Sequence, residues 1–290
     1  MNLVHDRYTK ARYDQNFEQC GFNMNHGVLS SNFNKHTHDF NEAAIIISGT
    51  AKHVVGDFEY PIKRGDVFVI KGDVVHEYTD VNNLELIDIM YFPNIFMSAD
   101  LQLSSLPGFR SLFIFEPEVR AHNHYPFTLT LENDELDYAV TVSDFIIQEF
   151  AKKTQNYSVV VRLSLFALLA YLSVKYVSNT DETQASAVLS QAIWFMQRNM
   201  ATQIRISDIA SQLYISTRHL CRLFNEYFGC TPGEYLLDIR IKHALILLTK
   251  HNLKVAEVSA NCGFSDPSYF ARVFKKVYGV TPNQAKLLDW

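Results

Sequence analysis

The feature that most constrains the fold of this chain is an internal duplication in its C-terminal third. Segment Ile206–Pro232 aligns with segment Val255–Pro282 at an offset of 49, which becomes 50 after one residue is inserted in the second copy. The aligned pairs include Ile209 with Val258, Ala210 with Ser259, Leu220 with Phe270, Arg222 with Arg272, Phe224 with Phe274 and Gly229 with Gly279. Two copies of one pattern with the same apolar spacing predict one small structural unit built twice.

Each copy predicts a short helix, a tight turn and a longer helix that ends at glycine. In the second copy, Asp266 is placed to cap the longer helix and Pro267 suits its first position. One apolar stripe of that helix is predicted from Phe270, Val273, Phe274 and Val277. This arrangement is helix-turn-helix geometry, in which the second helix enters the major groove of DNA. A connecting helix over residues 234–249 would hold the two reading helices about 34 Å apart, one turn of DNA.

The distribution of charge agrees with a nucleic-acid-binding segment attached to a different domain. The whole chain carries a net charge of −5, yet residues 187–290 carry +5 and residues 1–186 carry −10. A basic segment on an acidic carrier favours an electrostatic interaction of that segment with DNA. At 290 residues the chain is long enough for two domains with separate apolar cores.

The N-terminal half predicts a small β-barrel or jelly roll, because short strands are broken by evenly spaced turns over residues 27–93. One of these turns is predicted at Ser48–Gly49. Residues 133–177 change to helical periodicity and predict two antiparallel helices. The second helix is apolar nearly all round, which leaves two interpretations open: packing on its own barrel, or a dimer interface.

Within the predicted barrel lies a cluster of polar side chains with regular spacing. His36-Thr-His38-Asp-Phe-Asn-Glu42 is followed by Gly49 after six residues, and Gly65 precedes His76 by a gap of ten. This spacing resembles the two halves of the cupin motif. In a cupin barrel the side chains of His36, His38, Glu42 and His76 would converge. Three imidazoles and a carboxylate can hold a divalent transition metal. The alternative is a pocket for an organic ligand such as a sugar, with Tyr78 as a further hydrogen-bonding group.

The segment Ala187–Trp290 resembles the DNA-binding domain of the AraC/XylS transcription regulators. Their second unit typically reads G-F-S-D-x-S-Y-F-x-R-x-F-K-x-x-x-G-x-[ST]-P, and Gly263–Pro282 matches it throughout. One departure is Ala285, where the family usually has an aromatic residue. The N-terminal half is similar to the cupin-type sensor of the family, particularly of its rhamnose-responsive members, through His38–Glu42, Gly49, Gly65 and Leu106–Phe109.

The resemblance implies an α+β protein of two domains, which we predict as a cupin-like sensor and dimerisation domain over residues 1–178, a linker over residues 179–186 and an all-α double helix-turn-helix domain over residues 187–290. It implies a transcription regulator that binds promoter DNA and a small-molecule effector, typically a sugar. Most such regulators form homodimers and activate transcription through contact with RNA polymerase. Sensors of this family rarely need a metal, so we expect no metal and no cofactor, with His36, His38, Glu42, His76 and Tyr78 binding the effector.

The same resemblance places the groove-facing residues early in each reading helix. In the first unit these are Arg218, Cys221 and Arg222, and in the second unit they are Pro267, Ser268, Ala271 and Arg272. Because Arg218 and Arg222 lie one helical turn apart, they can read guanine or hold phosphates, so we predict stronger base discrimination by the first unit. For Arg272 a phosphate contact is the alternative to base readout, and Lys275 is placed for phosphate or solvent.

The remaining composition excludes several other classes of protein. Hydrophobic residues make up 48% of the chain and charged residues 20%, which is typical of a globular protein and not of a disordered one. No secretory signal precedes the barrel, the apolar run Leu163–Leu172 is too short to cross a bilayer, and four scattered cysteines predict reduced thiols in a cytoplasm. The main rival function is a metal-dependent cupin enzyme with an attached DNA-binding domain; a purely architectural DNA-binding protein would leave half the chain unexplained.

Overall fold

The computed structural model divides the chain into two compact units, Met1–Ala187 and Val188–Trp290. It describes residues 6–8, 14–92, 95, 103–120, 129–179, 184–250 and 253–287. The first unit is built around an antiparallel sheet and the second is entirely helical in its described part, so the predicted α+β class is confirmed.

Eight strands form the sheet in the described part of the first unit. They are β1 (Asp6–Tyr8), β2 (Phe22–Leu29), β3 (Phe33–His38), β4 (Asn41–Val55), β5 (Phe58–Lys63), β6 (Asp66–Ile70), β7 (His76–Tyr91) and β8 (Leu129–Thr130). The long strands β4 and β7 pair with each other along most of their length. On its other edge β7 pairs with β3 at one end and with β2 at the other, while β4 pairs with β5 and β6. All pairs are antiparallel except β1 with β3.

The predicted turn at Ser48–Gly49 is wrong, because β4 continues through it. The register between β4 and β7 shifts three times between Ile46 and Lys52, which marks β-bulges that bend a continuous strand. Gly49 has a φ of 78°, and a Cβ there would lie 2.1 Å from the carbonyl oxygen of Asn83 on β7. The glycine therefore serves a close approach of two strands within the sheet and not a chain reversal.

Helices cover the sheet of the first unit. They are α1 (Asp14–Cys20), α2 (Pro107–Arg110), α3 (Glu116–Arg120), α4 (Asn133–Lys152) and α5 (Tyr157–Asn179), with a π-helical segment at Ser111–Phe115 and a 3-10 turn at Leu103–Ser105. The predicted antiparallel hairpin is confirmed, since Glu135 and Tyr138 of α4 contact Lys175 and Tyr171 of α5, respectively.

Helix α5 is long and apolar enough over Tyr157–Val177 to cross a membrane by length and composition alone. The core helix of a globular domain meets the same criteria. Val161, Leu165 and Leu168 are fully buried within the unit, as expected of a core helix.

The second unit consists of helices only, in the part that the structure describes. They are α6 (Gln184–Asn199), α7 (Ile206–Gln212), α8 (Thr217–Phe228), α9 (Pro232–Lys250), α10 (Val255–Asn261), α11 (Pro267–Tyr278) and α12 (Pro282–Ala285). The pairs α7–α8 and α10–α11 are the two predicted helix-turn-helix units, and α9 connects them. Of the predicted linker, Asn179 ends α5, Gln184–Ser186 begin α6 and residues 180–183 lie outside the described part, so the linker stays a prediction.

The caps of the two reading helices follow from their sequences. Ser216 Oγ accepts from the backbone N–H of His219 at 3.1 Å, and Asp266 Oδ1 accepts from that of Ser268 at 2.8 Å. Both helices end at a glycine in the left-handed region. On α11, Phe270 and Phe274 are fully buried, whereas Val277 is 52% exposed, so its predicted place in the packed stripe is wrong. One turn beyond the buried pair, this face of the helix is exposed to solvent.

Arg240 of α9 fixes the chain that leads into the first helix-turn-helix unit. Its Nε donates to the carbonyl oxygen of Met200 at 2.9 Å, and its Nη2 donates to that of Thr202 at 2.7 Å. Gly263, in the turn between α10 and α11, lies against the same Met200 carbonyl and the Arg240 guanidinium. The connector helix α9 is thereby joined both to the loop before α7 and to the turn of the second helix-turn-helix unit.

Candidate functional sites

A cavity of about 210 Å³ lies in the first unit, between strands of the sheet. Its walls combine apolar side chains, among them Phe33, Leu86 and Met90, with polar ones. The polar lining residues are Tyr8, Asn25, His36, His38, Glu42, Tyr78 and Asp88. A few convergent polar groups in an apolar, aromatic setting are typical of a site for a small organic molecule.

Four buried histidines cluster at the cavity. Nitrogen atoms of His38, His53 and His76 lie close to one another, and the ring centroid of His36 lies 4.0 Å from that of His76. His38 Nε2 lies 3.1 Å from His76 Nε2 and 3.3 Å from Glu42 Oε2. Behind them, His53 Nε2 lies 3.3 Å from His76 Nδ1. His38 is at the end of β3, Glu42 and His53 are on β4, and His76 begins β7, so pairing of the three neighbouring strands brings them together.

Burial keeps the imidazoles of His38, His53 and His76 neutral. It lowers the pKa of His38 to about 4, although the backbone carbonyl of Phe40 opposes the change. Burial also lowers the pKa of His53 and of His76 well below the usual value. Neutral imidazoles can each accept through one ring nitrogen, which suits them to bind a hydroxyl group or a metal ion.

Two carboxyl groups meet at the other side of His38. The pKa of Glu42 is raised well above its ordinary value by burial and by its hydrogen-bonded neighbour Asp88, and burial raises the pKa of Asp88 to about 6. The phenol of Tyr78 is buried as well, and its pKa is also raised, first by burial and then by the same carboxyls.

The cavity contains polar atoms that nothing in the described part of the chain satisfies. Tyr78 Oη and Asp88 Oδ1 are buried and have no hydrogen-bond partner among the described residues, and both side chains line the cavity. Leaving such atoms unpaired costs about 1–3 kcal/mol each. A ligand with hydroxyl groups would offer both a donor and an acceptor to satisfy them.

The structure brings the five predicted effector residues close together, but only four of them line the cavity. His36, His38, Glu42 and Tyr78 line the cavity, whereas His76 lies behind His38 and does not line it. Sequence reasoning missed Asp88 and Asn25. Asp88 carried a usable signal, since it is an acidic residue within the apolar strand Leu84–Tyr91. Asn25 lies on β2, most of which precedes the stretch that was expected to form strands.

On the first reading helix, the predicted residues lie near its N-terminus. Arg218 and Arg222 are exposed, and Cys221 between them is half-buried. Arg222 Nη1 donates to Glu226 Oε2 at 2.9 Å, one turn further along the same exposed face. All four cysteines of the chain are free in the structure.

On the second reading helix, Pro267 and Ser268 are exposed in the first turn, Ala271 is half-buried, and Arg272 and Lys275 are exposed. The guanidinium carbon of Arg272 lies 6.0 Å from the ring centroid of Tyr269, which the sequence analysis did not single out. Tyr269 is 44% exposed beside these residues and adds an aromatic surface to the candidate DNA-binding face.

Comparisons with known proteins match both units. Residues 29–108 match the family described as the AraC-like ligand binding domain, and residues 209–286 match a family described as a helix-turn-helix domain. The HTH-type transcriptional activator RhaR of Enterobacter sp. (strain 638) is 31% identical over 255 residues, which is 87% of this chain and 86% of that protein. The RhaR activator of Escherichia coli O139:H28 is 30% identical over 261 residues, covering 89% of this chain and 88% of that protein.

Among solved structures, a transcriptional regulator with an AraC-type DNA-binding domain from Chromobacterium violaceum is 29% identical. The match covers 34% of this chain and 89% of that structure's chain, with a TM-score of 0.33.

Proposed function

The chain belongs to the AraC family of transcription regulators, and from this premise we propose that it is a cytoplasmic activator whose sensor cavity binds a small sugar. Promoter DNA would be bound by α8 and α11, and RNA polymerase would be the protein partner. The relatives named as transcriptional activators support the direction of regulation.

The observation that carries the sugar proposal is the pair of unsatisfied polar atoms in the cavity, Tyr78 Oη and Asp88 Oδ1. A sugar presents adjacent hydroxyls, each of which both donates and accepts, whereas a purely apolar effector would leave these atoms unpaired. The volume of about 210 Å³ is below the range of about 300–1,000 Å³ typical of drug-sized ligands, which favours a single sugar ring.

Regulation requires that the effector bind one state of the protein more tightly than another. Sugar binding at the cavity would then change DNA affinity by the same coupling free energy with which DNA changes sugar affinity. On this proposal the His38–Glu42–Asp88 group is a recognition site and catalyses no reaction. A metal-dependent enzyme, the rival function, would instead turn a substrate over at the same place.

We also propose that the regulator is a homodimer joined through α5. The residues of its outward-facing apolar stripe are Val160, Leu163, Ala167, Ala170, Val174 and Val177. They follow the alternating three- and four-residue spacing of a coiled-coil seam. The stripe is symmetric about its midpoint, between Leu168 and Leu169, so an antiparallel second copy would place large residues against large and alanine against alanine. Such self-complementarity suits a two-fold interface.

The dimer is tested by sedimentation of the full chain at micromolar concentration. Leu163→Asp should convert a dimer into a monomer, because it buries an unpaired carboxylate in the seam. Ser158→Asp, in the first turn of the same helix and outside the stripe, serves as the control and should sediment like the parent protein. A parent protein that sediments as a monomer would contradict the proposed seam.

The sugar proposal is tested by the thermal unfolding of the full chain with a panel of monosaccharides. A sugar at 100 times its Kd stabilises the folded protein by about 2.7 kcal/mol. Tyr78→Phe and Asp88→Ala should each weaken the binding of that sugar by at least about tenfold, since each removes one polar contact. Tyr138→Phe on α4, outside the cavity, is the matched control and should respond like the parent. Protein that binds DNA but responds to no sugar would contradict the sensor assignment.

A further inference from the structure

We propose that His38, Glu42 and His76 form a binding site for one divalent transition-metal ion at the wall of the cavity. The inference goes beyond the proposed function, because metal binding would stand whether or not a sugar occupies the cavity. The family resemblance implied a site without metal, and the geometry of the folded cluster is what changes that expectation.

The donor atoms have the spacing of a coordination shell. The two imidazole nitrogens are 3.1 Å apart, and His38 Nε2 is 3.3 Å from Glu42 Oε2. Zinc holds nitrogen and oxygen ligands at about 2.0–2.1 Å in a tetrahedron, which separates neighbouring ligand atoms by about 3.3–3.4 Å. All three residues offer donor atoms that lie within 4.8 Å of one another. An ion can therefore enter with only small movements of the side chains.

The surrounding groups orient these donors as metal ligands are normally oriented. His38 Nδ1 lies 2.5 Å from the carbonyl oxygen of Phe40, which only accepts, so Nδ1 carries the proton and Nε2 presents its lone pair to the site. His76 Nδ1 faces His53 Nε2 at 3.3 Å, which turns His76 Nε2 towards His38 and Glu42. A second layer of hydrogen bonds that fixes ring orientation is a regular property of metal-binding histidines.

The fourth sequence candidate, His36, is outside the set. Its Nδ1 lies 2.9 Å from the carbonyl oxygen of Asn34 on its own strand. Three protein ligands leave at least one coordination position open, as in sites that also bind an exogenous molecule. Because His38 and Glu42 line the cavity and His76 lies behind them, the open position faces the cavity. Two imidazoles and one carboxylate suit zinc, iron(II), manganese or nickel.

The alternative explanation of the same distances is a direct hydrogen bond between the two imidazoles, with no ion. Untagged full-length protein, stripped with a chelator and dialysed, separates the two. Calorimetric titration with Zn²⁺ and Mn²⁺, with elemental analysis after gel filtration, should give one ion per chain. A stoichiometry below about 0.1, or one that is unchanged in the variants below, overturns the proposal.

The variants distinguish ligands from neighbours. Glu42→Gln and His76→Gln preserve side-chain size and should weaken metal binding by at least about 100-fold, and His53→Gln should weaken it by about 10- to 100-fold, the usual range for a residue that supports a ligand. His26→Gln on β2, where the half-exposed ring pairs with Glu85 at 2.9 Å, is the matched control and should bind like the parent.

The four cysteine thiols are strong competing ligands for such an ion, and their binding has a distinct absorption, so Co²⁺ serves as a spectroscopic probe. Binding at the proposed site should give weak d–d bands without the strong charge-transfer absorption of a thiolate, and Glu42→Gln should abolish them. Thiolate absorption in place of these bands would assign the ion to a cysteine and overturn the site. A sugar response that persists in metal-stripped protein would leave the proposed function intact even if the metal site fails.

Discussion

The two helix-turn-helix units share one backbone design and differ in what surrounds their turns. Tyr214 and Gly263 occupy the same aligned position, and both have left-handed backbones, with φ of 55° and 74°. The Tyr214 side chain is 97% exposed, whereas a Cβ on Gly263 would lie 2.2 Å from the carbonyl oxygen of Met200. The first turn is open to solvent, and the second is packed into its unit. Duplication therefore preserved the local conformation while the neighbours determined which residue each turn accepts.

The reading faces of the units differ as well. The first offers Arg218 and Arg222, and Arg222 is already paired with Glu226. The second offers Arg272 beside the ring of Tyr269, with small or apolar side chains in its first turn. The same scaffold thus carries two different sets of side chains on the faces that we predict to contact DNA, and each contrast can be tested by matched substitutions.

The largest expected effect concerns the turns. Gly263→Ala should destabilise the helical unit Val188–Trp290 by about 2–4 kcal/mol, because an alanine there combines a left-handed conformation with a backbone clash. Tyr214→Ala should change stability by no more than about 0.5 kcal/mol, since it removes an exposed side chain. Both tryptophans, Trp194 and Trp290, belong to the helical unit Val188–Trp290. Tryptophan fluorescence during urea unfolding therefore reports that helical unit alone. Equal losses in the two variants would contradict the difference between the turns.

A smaller effect is expected at the reading helices. Arg222→Ala should weaken binding to the preferred operator by about 1–3 kcal/mol, roughly 10- to 100-fold, and reduce discrimination against altered operators. The measurement is a competition assay with operators selected from a random library, at fixed salt. If affinity falls equally for all sequences, Arg222 is a phosphate contact and the first unit loses its predicted role in discrimination.

The smallest effect is expected for the equivalent change in the second unit. Arg272→Ala should weaken binding about equally across operator variants and reduce the slope of log affinity against log salt by about one. Lys242→Ala on α9, where the ammonium group pairs with Asp238 at 2.7 Å, is a control that also removes one positive charge. A change of base preference in Arg272→Ala would place base readout in both units.

The helical unit could be predicted closely from sequence because its signals are local. Asp266, Pro267 and Gly279 each determine a helix end through backbone chemistry that needs no distant partner. Val277 was misassigned because periodicity gives the direction of a side chain but not the extent of the core beneath it. Ala285, which departs from the family pattern, is nevertheless fully buried in the core around α9 and α11.

The cupin-like fold of the sensor was predicted from sequence, but its turns and the grouping of its site residues were predicted less well. These features depend on strand pairing. Gly49 read as a turn residue, since nothing local distinguishes a bulge glycine from a turn glycine. Spacing grouped His36, His38, Glu42 and His76. The folded structure brings the donor atoms of the last three together but leaves His36 out of that set, and it adds His53 behind His76. Asp88 joins the site from β7 through its pairing with β4, a relation that residue spacing within one strand does not contain.

The mirror-like arrangement of the α5 stripe has a consequence for how this surface can vary. In the proposed dimer every seam position occurs twice, and Leu163 of one copy meets Val174 of the other. A mutation at either residue therefore alters both ends of the interface at once, and its effect on assembly is doubled. A compensating change is needed not beside the mutated residue but eleven positions away in the same chain. Variation among related chains should accordingly couple positions 160 with 177, 163 with 174 and 167 with 170.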